Sequence, residues 1–285
     1  MILGVDLGND SVKTSKGISF LSKVSKVGNI LNNNITLSTS NDIFFIEEGK
    51  FDTEYRKIKK EYIREMFLVA VALSSGEINN QIVVGLPLSQ YKADKETFKN
   101  LLLKDRMQRI SVNGNDRKII IEDLEIYPEG IGALVGQEFD GIIVDIGGRT
   151  TDIALLENGK VKKPYSLPTG TLNLYSEFIK TINSKYSLDL KSEDANRIIK
   201  NGLKIYGEQK DINFGLDIFK AYVEGIVSEL QVSYSIKTLD IMLIGGGATL
   251  LYKAFKNRIP NVQLINDAIF ANANGFKKVG ENLWL

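Results

Sequence analysis

Ile142-Ile143-Val144-Asp145-Ile146-Gly147-Gly148-Arg149-Thr150-Thr151-Asp152 is the stretch whose reading decides the fold. Its apolar run reads as a buried strand, and the paired glycines read as a tight turn at the strand's end. Asp145 therefore stands at a strand's carboxyl end, where open α/β sheets gather their ligands. The same phrase opens the chain as Ile2-Leu3-Gly4-Val5-Asp6-Leu7-Gly8. A third strand-like run, Ile241-Met242-Leu243-Ile244, leads into Gly245-Gly246-Gly247. Two carboxylates on facing glycine turns, with a third glycine turn nearby, suit a metal-chelated nucleotide.

Composition narrows the chemistry. A chain of 285 residues is long enough for one large or two ordinary domains. With 25% charged and 43% hydrophobic residues it reads as an ordinary globular protein. There are no cysteines, so disulfides, thiolate metal sites and cysteine nucleophiles are excluded. There are no histidines either, which removes Ser-His-Asp triads and histidine-bound zinc. Catalysis is left to carboxylates, Lys, Arg, hydroxyls, backbone amides and a hard cation such as Mg²⁺. The net charge of +1 argues against direct nucleic-acid binding, which favours a basic surplus. No apolar run approaches the roughly 20 residues that span a bilayer, and Met1 to Val5 is too short for a signal peptide. The cytoplasm is the expected location, with no membrane contact.

Outward from the two Asp-Gly phrases, the pattern is α/β. Val12 to Thr14 and Ile18 to Leu21 read as strands of a meander. Residues 28–58 are polar and Asn-rich, with strand candidates at 35–37 and 43–46, and read as a small irregular subdomain. Glu61 to Ser74 reads as a helix with Ile63, Phe67, Ala70 and Val71 on one face and Gly76 as its C-cap. A strand at 82–85 and a helix from Asp94 to Leu103 follow. Asn113-Gly114-Asn115-Asp116 reads as a hairpin turn. Glu129 to Gln137 reads as a glycine-dotted helix. Beyond the strands at 142–145 and 152–156 lie helices at 172–184 and from Ser192 (as N-cap) to 200. A long amphipathic helix around 218–230 precedes the third glycine turn. The chain divides into two homologous halves near residue 150, with the C-terminal residues returning to the first.

Each motif has a plain alternative. Gly8-Asn9-Asp10-Ser11 with Lys13 can point backbone N–H groups and a cation at a phosphate, or be a surface β-turn. In Gly147 to Thr151, the glycines allow close backbone approach and Thr150 and Thr151 offer hydroxyls, while Asp145 can hold a Mg²⁺-bound water. Gly245 to Gly247 and Ala248 can support a base and ribose, or mark a sharp turn. Glu129, after Pro128, reads by itself as a first-turn residue that offsets a helix dipole. Walker A and Rossmann fingerprints are absent from the sequence.

Taken in order, the set Asp-x-Gly-x-x-x-x-Lys, Pro-Glu-Gly, Asp-x-Gly-Gly-x-Thr-Thr-Asp and Gly-Gly-Gly-Ala resembles the actin-like ATPases. Within these it is most similar to plasmid-segregation actins of the ParM/StbA type. Val83 to Tyr91 and Ile126 to Gly130 extend the resemblance, which covers roughly residues 1–21 and 61–260. It implies an α/β actin-like fold: two homologous α/β domains around a nucleotide cleft, each with a small inserted subdomain. The first domain would be 1–150 with 260–285 returning to it, the second 151–259.

The resemblance further implies that Asp6 and Asp145 hold Mg²⁺ through waters and that Glu129 positions the attacking water. Gly8 to Lys13 and Gly147 to Thr151 would clasp the phosphates of ATP or GTP, and Gly245 to Ala248 would support the nucleoside. Glu193 and Arg197 would contact the base. It implies a slow NTPase that polymerises head to tail with itself and meets plasmid DNA through a DNA-binding adaptor of the ParR type. The chain departs from the pattern at Arg149, where a small or hydroxyl residue is usual, and in the short, divergent segment 28–58. The rival readings are a small-molecule kinase of the same superfamily and a membrane-associated cytoskeletal protein of the MreB, FtsA or PilM type. For the latter, the apolar tail Glu281 to Leu285 is too short, and it is expected to pack on the first domain.

Overall fold

The computed structural model describes residues 1–28 and 34–285. Residues 29–33 of the Asn-rich segment lie outside the described residues.

Two large sheets organise the described residues. The first joins β1 (Ile2–Leu7), β2 (Ser11–Thr14), β3 (Ser19–Leu21), β4 (Lys23–Ser25), β5 (Thr36–Ser38), β6 (Ile43–Phe51), β7 (Asn79–Leu86), β8 (Met107–Val112) and β9 (Asn115–Pro128). Its order is β3-β2-β1-β7-β9-β8-β5-β6-β4. The second contains β10 (Gly141–Ile146), β11 (Thr151–Glu157) and β12 (Lys160–Leu167). A separate hairpin, β13 (Leu203–Ile205) with β14 (Glu208–Lys210), precedes the second sheet's last strands, β15 (Asp240–Ile244) and β16 (Val262–Leu264). The second sheet's order is β12-β11-β10-β15-β16. The helices are α1 (Ile63–Ser74), α2 (Leu88–Leu103), α3 (Thr171–Tyr186), α4 (Asp194–Asn201), α5 (Asn213–Ser233), α6 (Gly246–Arg258) and α7 (Ala271–Trp284).

The duplication read from the two Asp-Gly phrases is a duplication of topology. β1 pairs antiparallel with β2 and parallel with β7, which pairs parallel with β9. β10 repeats the scheme with β11, β15 and β16. All six residues of β10 are buried, as a central strand covered on both faces requires. Its near-continuous apolar run is the sequence form of that burial.

The chain end returns to the first half. α7 packs on β1 and β7, and Trp284 Nε1 donates to Asp123 on β9 at 3.2 Å. The sheets divide between Pro128 and Gly141, ahead of the boundary at 150, because the whole β10–β11 hairpin belongs to the second sheet.

Several local expectations are corrected. Residues 129–137 are not a helix. β9 runs unbroken to Pro128, and Gly130 and Gly136 adopt φ of 73° and 74°, leaving only the 3-10 turn Gly132–Leu134. Gly76 does not cap α1. Ser75 stands at the C-cap and donates its N–H to Val71. Ser192 is not the cap of α4; Glu193 precedes the helix, with no side-chain cap. α2 begins at Leu88, six residues before Asp94, directly after Pro87 at its N-cap. The turn of the β8–β9 hairpin is Asn113-Gly114 alone, both with positive φ, so Asn115 and Asp116 already belong to β9.

Candidate functional site

The strand ends of the two sheets face each other across a cleft of about 300 Å³. Asp6, Glu129 and Asp145 line it. So do Gly8, Asn9, Asp10, Ser11 and Lys13 of the β1–β2 hairpin, and Gly147, Gly148 and Thr150 of the β10–β11 hairpin. Gly245, Gly246 and Gly247 line it from the start of α6.

The two hairpins touch. A Cβ added to Gly148 would lie 2.8 Å from the Asp10 Cβ and 2.9 Å from the Asp10 nitrogen. Glycine is what lets the halves close this far. Gly245 has φ +90°, and a Cβ there would meet Asp145 Oδ1 at 2.6 Å. Among the described residues no side chain caps α6, which leaves its first turn suited to an anionic ligand. The hairpins themselves are pinned. Ser22 Oγ donates to the Gly8 carbonyl at 2.6 Å. The first N–H groups of α3, on Thr171 and Leu172, donate to the carbonyls of Gly147 and Gly148 at 3.0 and 2.9 Å.

Buried acids dominate the electrostatics. Burial pushes the Asp145 carboxyl up to about 7; the Asn272 amide, donating at 2.8 Å, opposes this, and the charges of Asp152 and Asp6 add to it. Burial likewise pushes Asp152 up to about 6, against its hydrogen bond from Ser166. Glu129 is pushed up to about 7 by burial, opposed by an ion pair with Lys57. Burial also raises Asp10, against the pull of Lys13. Such crowded oxygen donors suit a hydrated divalent cation. Among the described residues no group of three or more acids is placed to hold a bare metal ion. Mg²⁺ therefore fits here through waters and a ligand's phosphates rather than in an all-protein cage.

Five expected contacts fall outside the cleft lining. Thr151 is buried on β11, with its hydroxyl against Tyr222 and donating to the Thr169 carbonyl at 3.1 Å. Strand alternation turns it away from its neighbour Asp152, which lines the cleft. Ala248 is buried on the core face of α6. Arg197 pairs with Asp194 at 2.7 Å in solvent, and Glu193 binds Lys23 of the first half at 3.3 Å. Asn196 of α4 lines the cleft instead, beside Tyr175 of α3. Arg149 does not line it; its Nε is buried without a hydrogen-bond partner among the described residues.

The cleft also holds residues that the sequence did not single out, Lys57, Thr171, Tyr175, Asn272 and Ile269 among them. Asp152 closes the quoted motif and is readable in hindsight as the cross-strand partner of Asp145. Lys57 and Asn272 carry no local signal; each arrives from a distant segment.

Two like-ordered sheets closing over an acid-floored, glycine-walled cleft define the actin-like class of proteins. The chain belongs to the actin-like superfamily. The family model described as "Actin like proteins N terminal domain" matches residues 4–132. "Archaeal actin homologue MreB-like, C-terminal" matches residues 143–257. An archaeal actin homolog of Thermoplasma volcanium is 24% identical over 242 residues, 75% of this chain and 74% of its own length. The solved archaeal actin homolog Ta0583 in complex with ADP superposes with a TM-score of 0.83 at 19% identity, covering 99% of both chains. A 15-stranded ParM filament from Clostridium botulinum gives 0.76 at 21% identity, again over 99% of each.

Proposed function

We propose that this chain is a nucleotide-dependent filament protein. It binds ATP or GTP with Mg²⁺ in the cleft, assembles head to tail with copies of itself, and hydrolyses the nucleotide slowly. The observation that carries the reading is the contact of Gly148 with Asp10, which brings two phosphate-type hairpins together over Asp6, Asp145 and Glu129.

The chemistry needs little covalent help. Phosphoryl transfer to water is driven by positioning and by charge stabilisation. Mg²⁺, when bound, neutralises phosphate charge. Asp6 and Asp145 would hold it through waters, while Lys13 and the hairpin N–H groups would hold phosphate oxygens. Glu129, raised toward neutrality, accepts the proton of the attacking water. A head-to-tail contact that does not close on itself gives a filament.

The finer reading is a cytoplasmic plasmid-segregation filament that reaches DNA through a ParR-type adaptor and not directly. Its support is the likeness to a ParM filament and the net charge of +1. Among the described residues no helix is long and apolar enough to cross a membrane.

The test is light scattering and pelleting of the purified chain with ATP, GTP or ADP, each with and without Mg²⁺. Triphosphate- and Mg²⁺-dependent pelleting is expected. Binding without assembly would leave a nucleotide enzyme rather than a filament protein; no binding would end the reading altogether.

A further inference from the structure

Lys57 is the cleft residue with the least sequence warning and the most elaborate support. It opens the short 3-10 turn Lys57–Lys59 between β6 and α1, and its side chain is only 1% exposed. A buried ammonium is costly unless it is paired. Here it forms an ion pair with Glu129 and donates to the Gly85 carbonyl at 3.3 Å. An ammonium has three protons. The third has no partner among the described residues, and Lys57 lines the cleft.

The backbone around Lys57 is bolted to the start of α2. The Lys57 N–H donates to Gln90 Oε1 at 3.0 Å, and Gln90 Nε2 donates to the Tyr55 carbonyl at 3.0 Å. Arg56, between them, donates from Nε to the buried Asp94 at 3.0 Å. Gln90 and Asp94 sit one turn apart on α2, so three consecutive residues are held by one helix. An ion pair that merely filled space would not need its segment fixed at three points by one helix.

We propose that Lys57 reads the terminal phosphate of the bound nucleotide and so distinguishes triphosphate from diphosphate. The inference rests on the nucleotide reading of the cleft. In the empty protein the ammonium is held by Glu129 and Gly85. A terminal phosphate beside Glu129 supplies the anionic oxygens that its remaining proton lacks, and a diphosphate leaves that proton as it was. The same ammonium then touches both the group that orients the water and the group that water attacks. Loss of the terminal phosphate returns Lys57 to Glu129 and Gly85.

The test compares ADP with a non-hydrolysable ATP analogue, both with Mg²⁺, at protein concentrations below assembly. Wild-type protein is expected to favour the analogue. K57M should lose roughly 10-fold or more of the analogue affinity, the scale of one hydrogen bond to a charged group. ADP affinity should stay within about 2-fold, and K57R should recover part of the preference. Because K57M leaves Glu129 unpaired, the double variant K57M/E129Q, neutral at both positions, is measured alongside. An unchanged preference in the variants, or an equal fall for both nucleotides, overturns the role of Lys57 while leaving nucleotide binding standing. Wild-type protein that binds neither nucleotide overturns both.

Discussion

Asp145 lies directly across its hairpin from Asp152, whereas Asp6, its counterpart in the first half, lies across from Lys13. The two halves share one strand order but not one charge pattern. The first hairpin carries its own counter-ion, and the second faces acid with acid. Both acids of the second are buried, and both titrate well above the ordinary aspartate range. The second hairpin therefore buries two acids face to face with no counter-ion of its own.

Stability of the nucleotide-free protein should fall as pH rises. Asp145 and Glu129 are raised to about 7 and Asp152 to about 6, so the folded state binds these protons more tightly than the unfolded chain. The stabilisation is full below the unfolded values near 4 and is lost as pH climbs through the folded ones. Each proton contributes up to about 1.4 kcal/mol per pH unit within that window. Melting measured from pH 5 to 7.5 should decline without nucleotide, and the gain from Mg²⁺-nucleotide should grow over the same range. A Tm that is flat or rising without nucleotide would contradict the acid-against-acid pairing.

Asp145→Asn should separate binding from folding. The amide removes a buried charge facing Asp152 and Asp6 and still accepts the hydrogen bond from Asn272. Melting temperature should hold or rise, and its pH dependence should flatten. Mg²⁺-nucleotide affinity should fall by at least ~10-fold, the scale of a lost charge-assisted interaction. Calorimetric titration of the variant checks this; wild-type affinity would remove Asp145 from the site.

The sequence discloses the fold where local and tertiary demands coincide. β1 and β10 are buried on both faces, so their apolar runs, and the Asp-Gly endings they share, can be read without neighbours. Asn113-Gly114 declares its own turn. The misreadings occur where a distant element decides. The glycines at 130, 132 and 136 look like a loose helix until α7 is in place, with Phe276 against Gly132. Lys57 and Asn272 reach the cleft because Gln90 and the returning C-terminal helix carry them there. Thr151 and Asp152 are adjacent in sequence, but a strand sends them to opposite faces.

Two glycine substitutions should behave oppositely. Gly148→Ala drives a Cβ against the backbone of Asp10 and pushes the hairpins apart. Overpacking of this kind costs about 1–3 kcal/mol, and nucleotide affinity should drop with it. Gly76→Ala meets nothing within 4 Å and needs no left-handed backbone, so it should shift stability by less than about 0.5 kcal/mol. Were Gly76 the helix cap its position suggests, alanine there would be clearly destabilising. Chemical unfolding of both variants beside wild type decides.

Glu129 carries the sharpest consequence. The alternative that it offsets a helix dipole is gone, because no helix begins there; it follows the last residue of β9. What remains is a largely buried carboxyl beside Lys57, pushed up to about 7, the condition for accepting a proton from water. Glu129→Gln keeps an acceptor for Lys57 but cannot take the proton. Nucleotide binding and assembly should survive, with some loss of stability because the buried ammonium loses its counter-charge. Phosphate release should slow by roughly 10²-fold or more. Filaments should persist longer, since subunits would keep the triphosphate. Phosphate release followed alongside pelleting reads both effects in one sample. Release per polymerised subunit equal to wild type would reduce Glu129 to the structural partner of Lys57.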